Sequence, residues 1–495
     1  MIRGAAVAAL VAGCAAGPPY ERPCAPLPGL DAYKEWKRAA PADAIPRGAW
    51  WTIFRDAELD ALAPRVATGN QTVLQAIANY HAAAAQIRIA RAGYWPTITA
   101  APTVRTSRGV ASTNVPGNAT GVSVMNPGTT VPGTATTGTG TSRVTVYTLP
   151  VEATWAPDLF GRVRNQVKQA QYTAQARAAD LANVRLLQEA MLAQTLFELR
   201  GQDAQITVLE ETVAANEEIV ELTRASYLLG IATESEVLQA RLTLQTSRVQ
   251  LTNAALARAQ FEHAIATLIG VPASGFSLAR RQPSARLPTI PPGAPSQLLE
   301  RRPDVASAER QMAAANAAIG IGYAAYFPQL TLTGDAGFSS TTLAKLLAWP
   351  SRFWAVGGTL TQVLFDGGLR RATIDQARAA YDATVAAYRQ TVLTAIQQVE
   401  DQLAAQRILA VVVEQQRIAV QVAHESFVLE RARYVTGIDP YVVLMTQQTA
   451  LLAARQALIA LETQQLTAAV LLIQDLGGGW RATDLPSPTQ VIQAR

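Results

Sequence analysis

Cysteine and histidine are nearly absent from this chain, with two of the first and three of the second in 495 residues. Two thiols exclude a disulfide scaffold, and the histidines weigh against a structural zinc site. His81, His263 and His424 lie far apart, none with a companion at i+4, so neither a metal pair nor a catalytic triad is visible. Gly320-Ile321-Gly322 lacks the third glycine of a dinucleotide loop and precedes a strand-like segment, so no nucleotide cofactor is called for. Charge is scarce as well, 16% of residues against a usual ~25%. That excludes a disordered polyampholyte and an ordinary acidic cytosolic enzyme. The net charge of +5 is small for the length, and the Lys and Arg are scattered, which argues against nucleic-acid binding. Beyond the N-terminus no run of 18 or more apolar residues occurs, so no segment reads as a helix that crosses a bilayer alone.

Helix breakers are missing over long distances. From Leu369 to Thr436, 68 residues contain no Gly and no Pro, which as one helix would be about 100 Å long. Gly437-Ile438-Asp439-Pro440 interrupts, and the 36 residues Tyr441 to Leu476 are again free of both. The first half has the same plan. Arg162 to Leu229 is broken only by Gly201, Gly230 ends it, and Glu234 to Ile269 gives another 36 residues. Tyr227 and Gly230 recur 207 residues later as Tyr434 and Gly437, Tyr94-Trp95-Pro96 recurs as Tyr326-Phe327-Pro328, and Leu159-Phe160-Gly161 as Leu364-Phe365-Asp366-Gly367. The chain therefore reads as a tandem repeat. Ala, Gln, Leu and Val dominate the long segments, with apolar residues three and four apart, as in coiled-coil hairpins.

Strand-like segments lie between the helices, over 97–109, 143–154, 329–339 and 353–363. Leu330, Leu332, Gly334, Ala336 and Phe338 alternate with Thr331, Thr333, Asp335, Gly337 and Ser339. Each run has about the 9–11 residues that a tilted strand needs to cross a bilayer. Aromatic residues at their ends (Tyr94, Trp95, Tyr147, Trp155, Tyr326, Phe327, Trp349, Phe353 and Trp354) suit an interfacial belt. Alternation alone fits four strands of a soluble sheet equally well. In lipid, however, an open sheet would leave two bare edges, and four strands are too few to close. Several chains would then have to share one barrel; two give eight strands and a filled interior, three give twelve and room for a channel. Val110 to Ser142 is a Gly/Thr/Pro-rich insert that reads as a flexible external loop, and 341–351 is a second, more apolar one.

The N-terminus reads as an address. Arg3, the apolar run Ala5 to Val11, and Ala12-Gly13 before Cys14 resemble a bacterial lipoprotein signal over residues 1–13. Cys14 would then be acylated, with palmitate among the chains, and Ala15 favours retention in the outer membrane. Cys24 has no assigned role.

Several stretches carry a family resemblance. They are Gly17-Pro18-Pro19-Tyr20-Glu21-Arg22-Pro23, Trp50-Trp51-Thr52-Ile53-Phe54-Arg55-Asp56, Asp158-Leu159-Phe160-Gly161-Arg162, Leu298-Leu299-Glu300-Arg301-Arg302-Pro303-Asp304-Val305, Leu364-Phe365-Asp366-Gly367-Gly368 and Gly477-Gly478-Gly479-Trp480. In this order and spacing the chain resembles TolC-type outer membrane efflux proteins, in their NodT/OprM-like lipoprotein branch. The resemblance implies a mixed α and β membrane protein that is a homotrimer. Its twelve-stranded outer membrane β-barrel, four strands per chain, continues into a long periplasmic α-helical barrel of coiled-coil hairpins. The implied division is signal 1–13, N-terminal equatorial segment 14–55, first repeat 56–270 with its hairpin over 160–270, equatorial linker 271–295, second repeat 296–476 with its hairpin over 366–476, and equatorial tail 477–495.

The implied function is a passive exit duct, not an enzyme, and without cofactor or metal. A periplasmic adaptor (membrane fusion) protein would join it to a proton-driven inner-membrane transporter of the resistance-nodulation-division type. Small toxic molecules are the expected cargo; type I protein secretion and metal-ion efflux are alternatives, as is a structural coiled-coil envelope lipoprotein with no pore. The working parts would be the hairpin tips, where Gly230 and Gly437 reverse the chain. Relatives often carry acidic constriction residues after the second turn. The matching positions here hold Val442, Val443 and Thr446, beside Tyr441, which suggests a hydrophobic gate that closes by dewetting. Glu234, Glu236 and Asp439 are left to contact an adaptor or solvent, and Arg224, Arg431 and Arg433 to pair across helices in the closed state.

Overall fold

The computed structural model describes residues 17–22, 49–110, 141–281, 287–288, 301–487 and 490–491. Residues 1–13, Cys14, Cys24, most of the 110–142 insert and most of the 271–295 linker beyond Arg281 lie outside them. The chain divides into a strand unit (Ala90–Arg164 and Ile321–Ala372) and a helical unit (Gly17–Ile89, Asn165–Gly320 and Thr373–Arg495).

The strand unit is one antiparallel sheet. Its members are β1 (Thr97–Ala100), β2 (Thr103–Val110), β3 (Thr141–Trp155), β4 (Gln329–Ser340) and β5 (Arg352–Thr361). β1 and β2 both pair with β3, Thr97 opposite Thr154 and Thr103 opposite Thr148, so they form one interrupted strand and the sheet is four strands wide. The interruption falls at Ala101-Pro102, where proline has no N–H to give to the ladder. β3 pairs with β4 (Trp155 opposite Leu332) and β4 with β5 (Gln329 opposite Thr361). Among the described residues the outer sides of β1/β2 and of β5 have no neighbouring strand. After β4 the chain turns through two short 3-10 turns, where the Arg352 guanidinium lies 2.9 Å from the Trp349 ring centroid.

The helices are α1 (Ala57–Gly69), α2 (Gln71–Ala92), α3 (Arg162–Leu228), α4 (Glu234–Leu268), α5 (Pro303–Ala324), α6 (Leu369–Val435) and α7 (Tyr441–Asp475). The halves match in length: α3 and α6 have 67 residues each, α4 and α7 35 each, α2 and α5 22 each. Gly201 does not break α3, which runs through it. Its hydrogen is where α7 comes close, because a Cβ there would lie 2.6 Å from Thr463 Oγ1. Among the described residues one helix, α7, is long and apolar enough to cross a membrane by length and composition. Its polar groups are engaged laterally with α3, Gln448 with Asn216 and Arg455 with Glu211, which is the behaviour of a packed helix.

The main core of the helical unit sits at mid-height on α3. A 3-10 turn, Trp50–Phe54, and α1 bury Trp50, Phe54, Leu59 and Val66 against Leu192, Leu196 and Phe197, with Ile265 and Ile473 closing the cluster. The Phe54 and Phe197 rings are 5.1 Å apart. Buried charges beside this core are paired, as burial requires. Arg200 pairs with Glu58 and Asp203, and Arg258 with Asp203 and Glu262. Both arginines also donate to the strap after α4, Arg258 to Leu278 O at 2.6 Å and Arg200 to Ala279 O at 3.0 Å.

Candidate gate at the helix-hairpin tips

Both hairpins turn by the same local chemistry. α3 ends on Gly230 at φ +74°, and Ile231 N donates back to Ser226 O at 2.9 Å; α6 ends on Gly437 at φ +76°, and Ile438 N donates to Arg433 O at 2.9 Å. A left-handed residue closed by such a backward bond ends a helix and satisfies its last carbonyls. α4 then starts on a capping box, in which Thr233 Oγ1 accepts from Glu236 N and Glu236 Oε2 accepts from Thr233 N at 2.7 Å. α7 starts after Pro440 with no side-chain cap.

The two tips are joined within one chain. Ile219, Val220, Ala240, Leu244, Tyr441 and Leu444 form a buried cluster there, with Phe427 and Tyr434 against it. The Tyr434 and Thr223 hydroxyls are 2.8 Å apart, Arg431 Nη2 donates to Glu218 Oε1 at 2.5 Å, and Tyr441 OH donates to Thr243 Oγ1 at 3.5 Å. Further from the turns, Asn216 Nδ2 donates to Ser247 Oγ at 2.8 Å and Gln448 Nε2 to Asn216 Oδ1 at 2.7 Å, all three buried. Gln448 Oε1 is buried with no hydrogen-bond partner among the described residues.

At the second tip one guanidinium serves two carboxyls. Arg433 bonds the Asp439 carboxylate and lies 3.9 Å from Glu430. Hydrogen bonding to Arg433 holds the Asp439 carboxyl below its usual range. Burial first, and the neighbouring Asp439 second, push the Glu430 carboxyl up. Two carboxyls beside one guanidinium cannot both ionise as easily as one.

The nominated residues separate by environment. Val442 and Thr446 are exposed and Val443 half-buried, with Thr446 Oγ1 donating to Val442 O at 2.8 Å. Tyr441 is buried in the tip cluster, so it packs the tip and does not line a surface. Glu234 is exposed, whereas Glu236 is committed to its capping box and Asp439 to Arg433. Arg431 and Arg433 are ion-paired; Arg224 is exposed and has no ion pair among the described residues. Sequence reasoning placed Tyr434 in the second tip without giving it a partner, and did not nominate Glu218, Thr223, Glu430, Asn216, Ser247 and Gln448 for this site. A signal existed for two of them. Leu209, Asn216 and Thr223 are seven apart on α3 and all buried, so polar residues occupy core heptad positions, the pattern that fixes register in coiled coils.

A narrow antiparallel sheet with two open edges, together with paired 67- and 35-residue hairpins turned at matching glycine tips, defines a membrane channel of the outer membrane type. The family model for outer membrane efflux proteins matches residues 62–271 and 294–478, and the chain belongs to that family. It is 32% identical over 482 residues to the toluene efflux pump outer membrane protein TtgC of Pseudomonas putida, covering 96% of this chain and 95% of the relative. It is 31% identical over 479 residues to the outer membrane protein OprJ of Pseudomonas aeruginosa, covering 96% and 95%. Among solved structures it is similar to a membrane protein from Pseudomonas aeruginosa (29% identity, TM-score 0.82, 95% of this chain and 98% of that one). It is also similar to the outer membrane channel OprN (26% identity, TM-score 0.80, 94% and 100%). The protein is an outer membrane component of an efflux system, located in the outer membrane.

Proposed function

We propose that three copies close their four-stranded sheets into a twelve-stranded barrel, and that the hairpins form a helical tube leading to it. The observation that carries this reading is the pair of unpaired edges on a sheet only four strands wide. Unpaired backbone groups cost several kcal/mol each in hydrocarbon, and closure removes them. Equal element lengths in the two halves support a tandem repeat, six hairpins per trimer serving as staves. The segments 14–55, 271–295 and 477–495 belt the tube, in keeping with the Trp50–Phe54 turn and the 276–281 strap that grip mid-α3. Acylation at Cys14 anchors the chain in membrane lipid.

The duct is passive. A periplasmic adaptor joins it to a proton-driven inner-membrane transporter, and selectivity belongs to that transporter. The tips are the gate. Tyr434–Thr223 and Arg431–Glu218 hold the two hairpins of one chain together, and Val442 faces the bore as an apolar constriction. Exposed Leu228, Leu229 and Ile231 at the first tip give the adaptor an apolar foothold, with Glu234 beside them. Opening is a population shift between two packed arrangements, driven by adaptor contacts.

The name of the relative TtgC speaks of toluene, and that of a further relative, the antibiotic efflux pump outer membrane protein ArpC of Pseudomonas putida, of antibiotics; small apolar or amphiphilic molecules are the cargo we assign. Deleting the gene from its host tests this. Sensitivity to toluene and to amphiphilic antibiotics, restored by the intact gene, is the expected result. Sensitivity to copper or silver alone, or loss of a secreted polypeptide, would move the duct to another cargo class.

A further inference from the structure

Within one chain the join between the two halves of the sheet carries an aromatic stack. The connector after β3 lays Phe160 flat on Phe327, the residue two before β4, with ring centroids 4.7 Å apart at 11°. The outer edges hold the corresponding parts without their counterparts. The connector after β5 presents Leu364 and Phe365, 90% and 89% exposed, and the residue two before β1 is Trp95, 74% exposed. Trp95 lines a cleft of about 560 Å³ together with Arg91, Tyr94, Pro96 and Trp155. The Trp155 indole is fixed as one wall by donating to Tyr94 O at 3.0 Å.

The two halves are equivalent in a second respect. In the second half Gln362 Nε2 donates to Tyr326 O at 3.2 Å, the same bond that Trp155 makes to Tyr94 O in the first. Both features also lie at one end of the sheet. β1 starts where β3 ends, with Thr97 opposite Thr154, and β4 starts where β5 ends, with Gln329 opposite Thr361; the strands are staggered, Thr154 facing Thr333 and Thr333 facing Gly357, so the row of Thr97 meets β5 at Gly357, near its end at Thr361. Joining β5 of one copy to β1/β2 of the next, as β3 joins β4, brings the 362–368 connector to the cleft.

We infer that Leu364 and Phe365 of one copy dock in the Tyr94/Trp95/Pro96/Trp155 cleft of the next copy, with the Phe365 ring against Trp95. The occupant is a second copy of this chain. Two exposed apolar side chains on one edge answer one aromatic cleft on the other, at the same end of the sheet, and the chain already makes such a contact internally. The inference rests on the trimer reading and adds an anchor beyond backbone pairing. The intersubunit contact would bury Trp95 and Phe365 against each other, in the way buried aromatic anchors dominate interfaces.

The test is cysteine cross-linking of the full chain in native outer membranes, in a Cys24→Ser background, with a short bis-maleimide. One variant carries Trp95→Cys and Phe365→Cys; a second carries Thr106→Cys and Val356→Cys, which face each other if β5 meets β2 in the register of β3 with β4. The result expected is a ladder of linked dimers and trimers from both, with no ladder from any single-cysteine control. A ladder from the second variant and none from the first would overturn the docking and leave the trimer standing, with lipid or water in the cleft. No ladder from either would overturn both. A complementary readout is Phe365→Ala in otherwise intact protein: the midpoint for heat dissociation of the detergent-extracted oligomer should fall, and an unchanged midpoint contradicts the anchor.

Discussion

Replacing Asp475 with asparagine should make the protein more stable at neutral pH and flatten its stability against pH. Asp475 is the last residue of α7 and is only 4% exposed. Its surroundings are Arg302, whose Nη1 lies 3.8 Å from Asp475 Oδ1 and donates to Asp475 O at 3.1 Å, and the carboxylates of Asp304 and Asp401. Arg302 is itself drawn away, with Nη2 2.6 Å from Asp304 Oδ2 and 2.8 Å from Gln398 Oε1. Burial therefore outweighs the attraction of Arg302 and pushes the Asp475 carboxyl up to about 6 from 3.8. A folded value above the unfolded one means that the group's contribution is fully present below about pH 4 and is lost as pH rises through about 6. Two pKa units at about 1.4 kcal/mol each make the ionised side chain cost roughly 3 kcal/mol at pH 7. About 1.3 kcal/mol of that loss falls between pH 5 and pH 7. Asp475→Asn keeps the shape and does not ionise. Thermal unfolding of the detergent-solubilised protein at pH 5, 6 and 7, wild type beside variant, measures the difference in slope. Identical pH slopes, or a variant clearly less stable than wild type at pH 7, would refute the reasoning and show that the ionised carboxylate holds Arg302 to advantage.

Other outcomes follow from the same contacts. Tyr434→Phe removes the hydroxyl 2.8 Å from buried Thr223 and should weaken the joined tips by about 1 kcal/mol; Arg431→Ala removes an exposed pair worth at most about 1 kcal/mol. Combined, they should raise resting conductance in planar bilayers more than either alone, and an unchanged closed current would free these residues from the gate. Val442→Ser should raise the resting current at unchanged thermal stability, because the side chain is exposed in the single chain. Gly201→Val should lower the unfolding midpoint, since its Cβ would meet Thr463 Oγ1 at 2.6 Å; a wild-type midpoint would show that α7 moves aside freely. Phe54→Ala, which empties a fully buried ring site against Phe197, should cost about 3–5 kcal/mol.

Much of the architecture is written in local pattern. Helix ends are legible because only glycine turns the chain cheaply at positive φ, so Gly230 and Gly437 mark the tips without reference to anything distant. Strands show through alternation, and their number alone raises the edge problem. What local pattern does not carry is the choice of partner. Gly201 looks like an interruption until Thr463 is placed opposite it, and Pro102 splits a strand that alternation runs through. At the gate, Arg431 is visible as a cation near a tip, but its partner Glu218 lies 213 residues away. Glu236 and Asp439 look like free surface acid until a helix cap and Arg433 claim them. Spacing proposes such residues, and only packing assigns them.

The central claim is that sister copies must complete one another's sheet around a water-filled bore. Single-channel recording in planar lipid bilayers, on purified protein whose mass in detergent is determined in the same preparation, tests it most directly. Discrete conductance steps from material of three-chain mass are predicted. A folded one-chain species that inserts into the bilayer and carries no current would contradict the account.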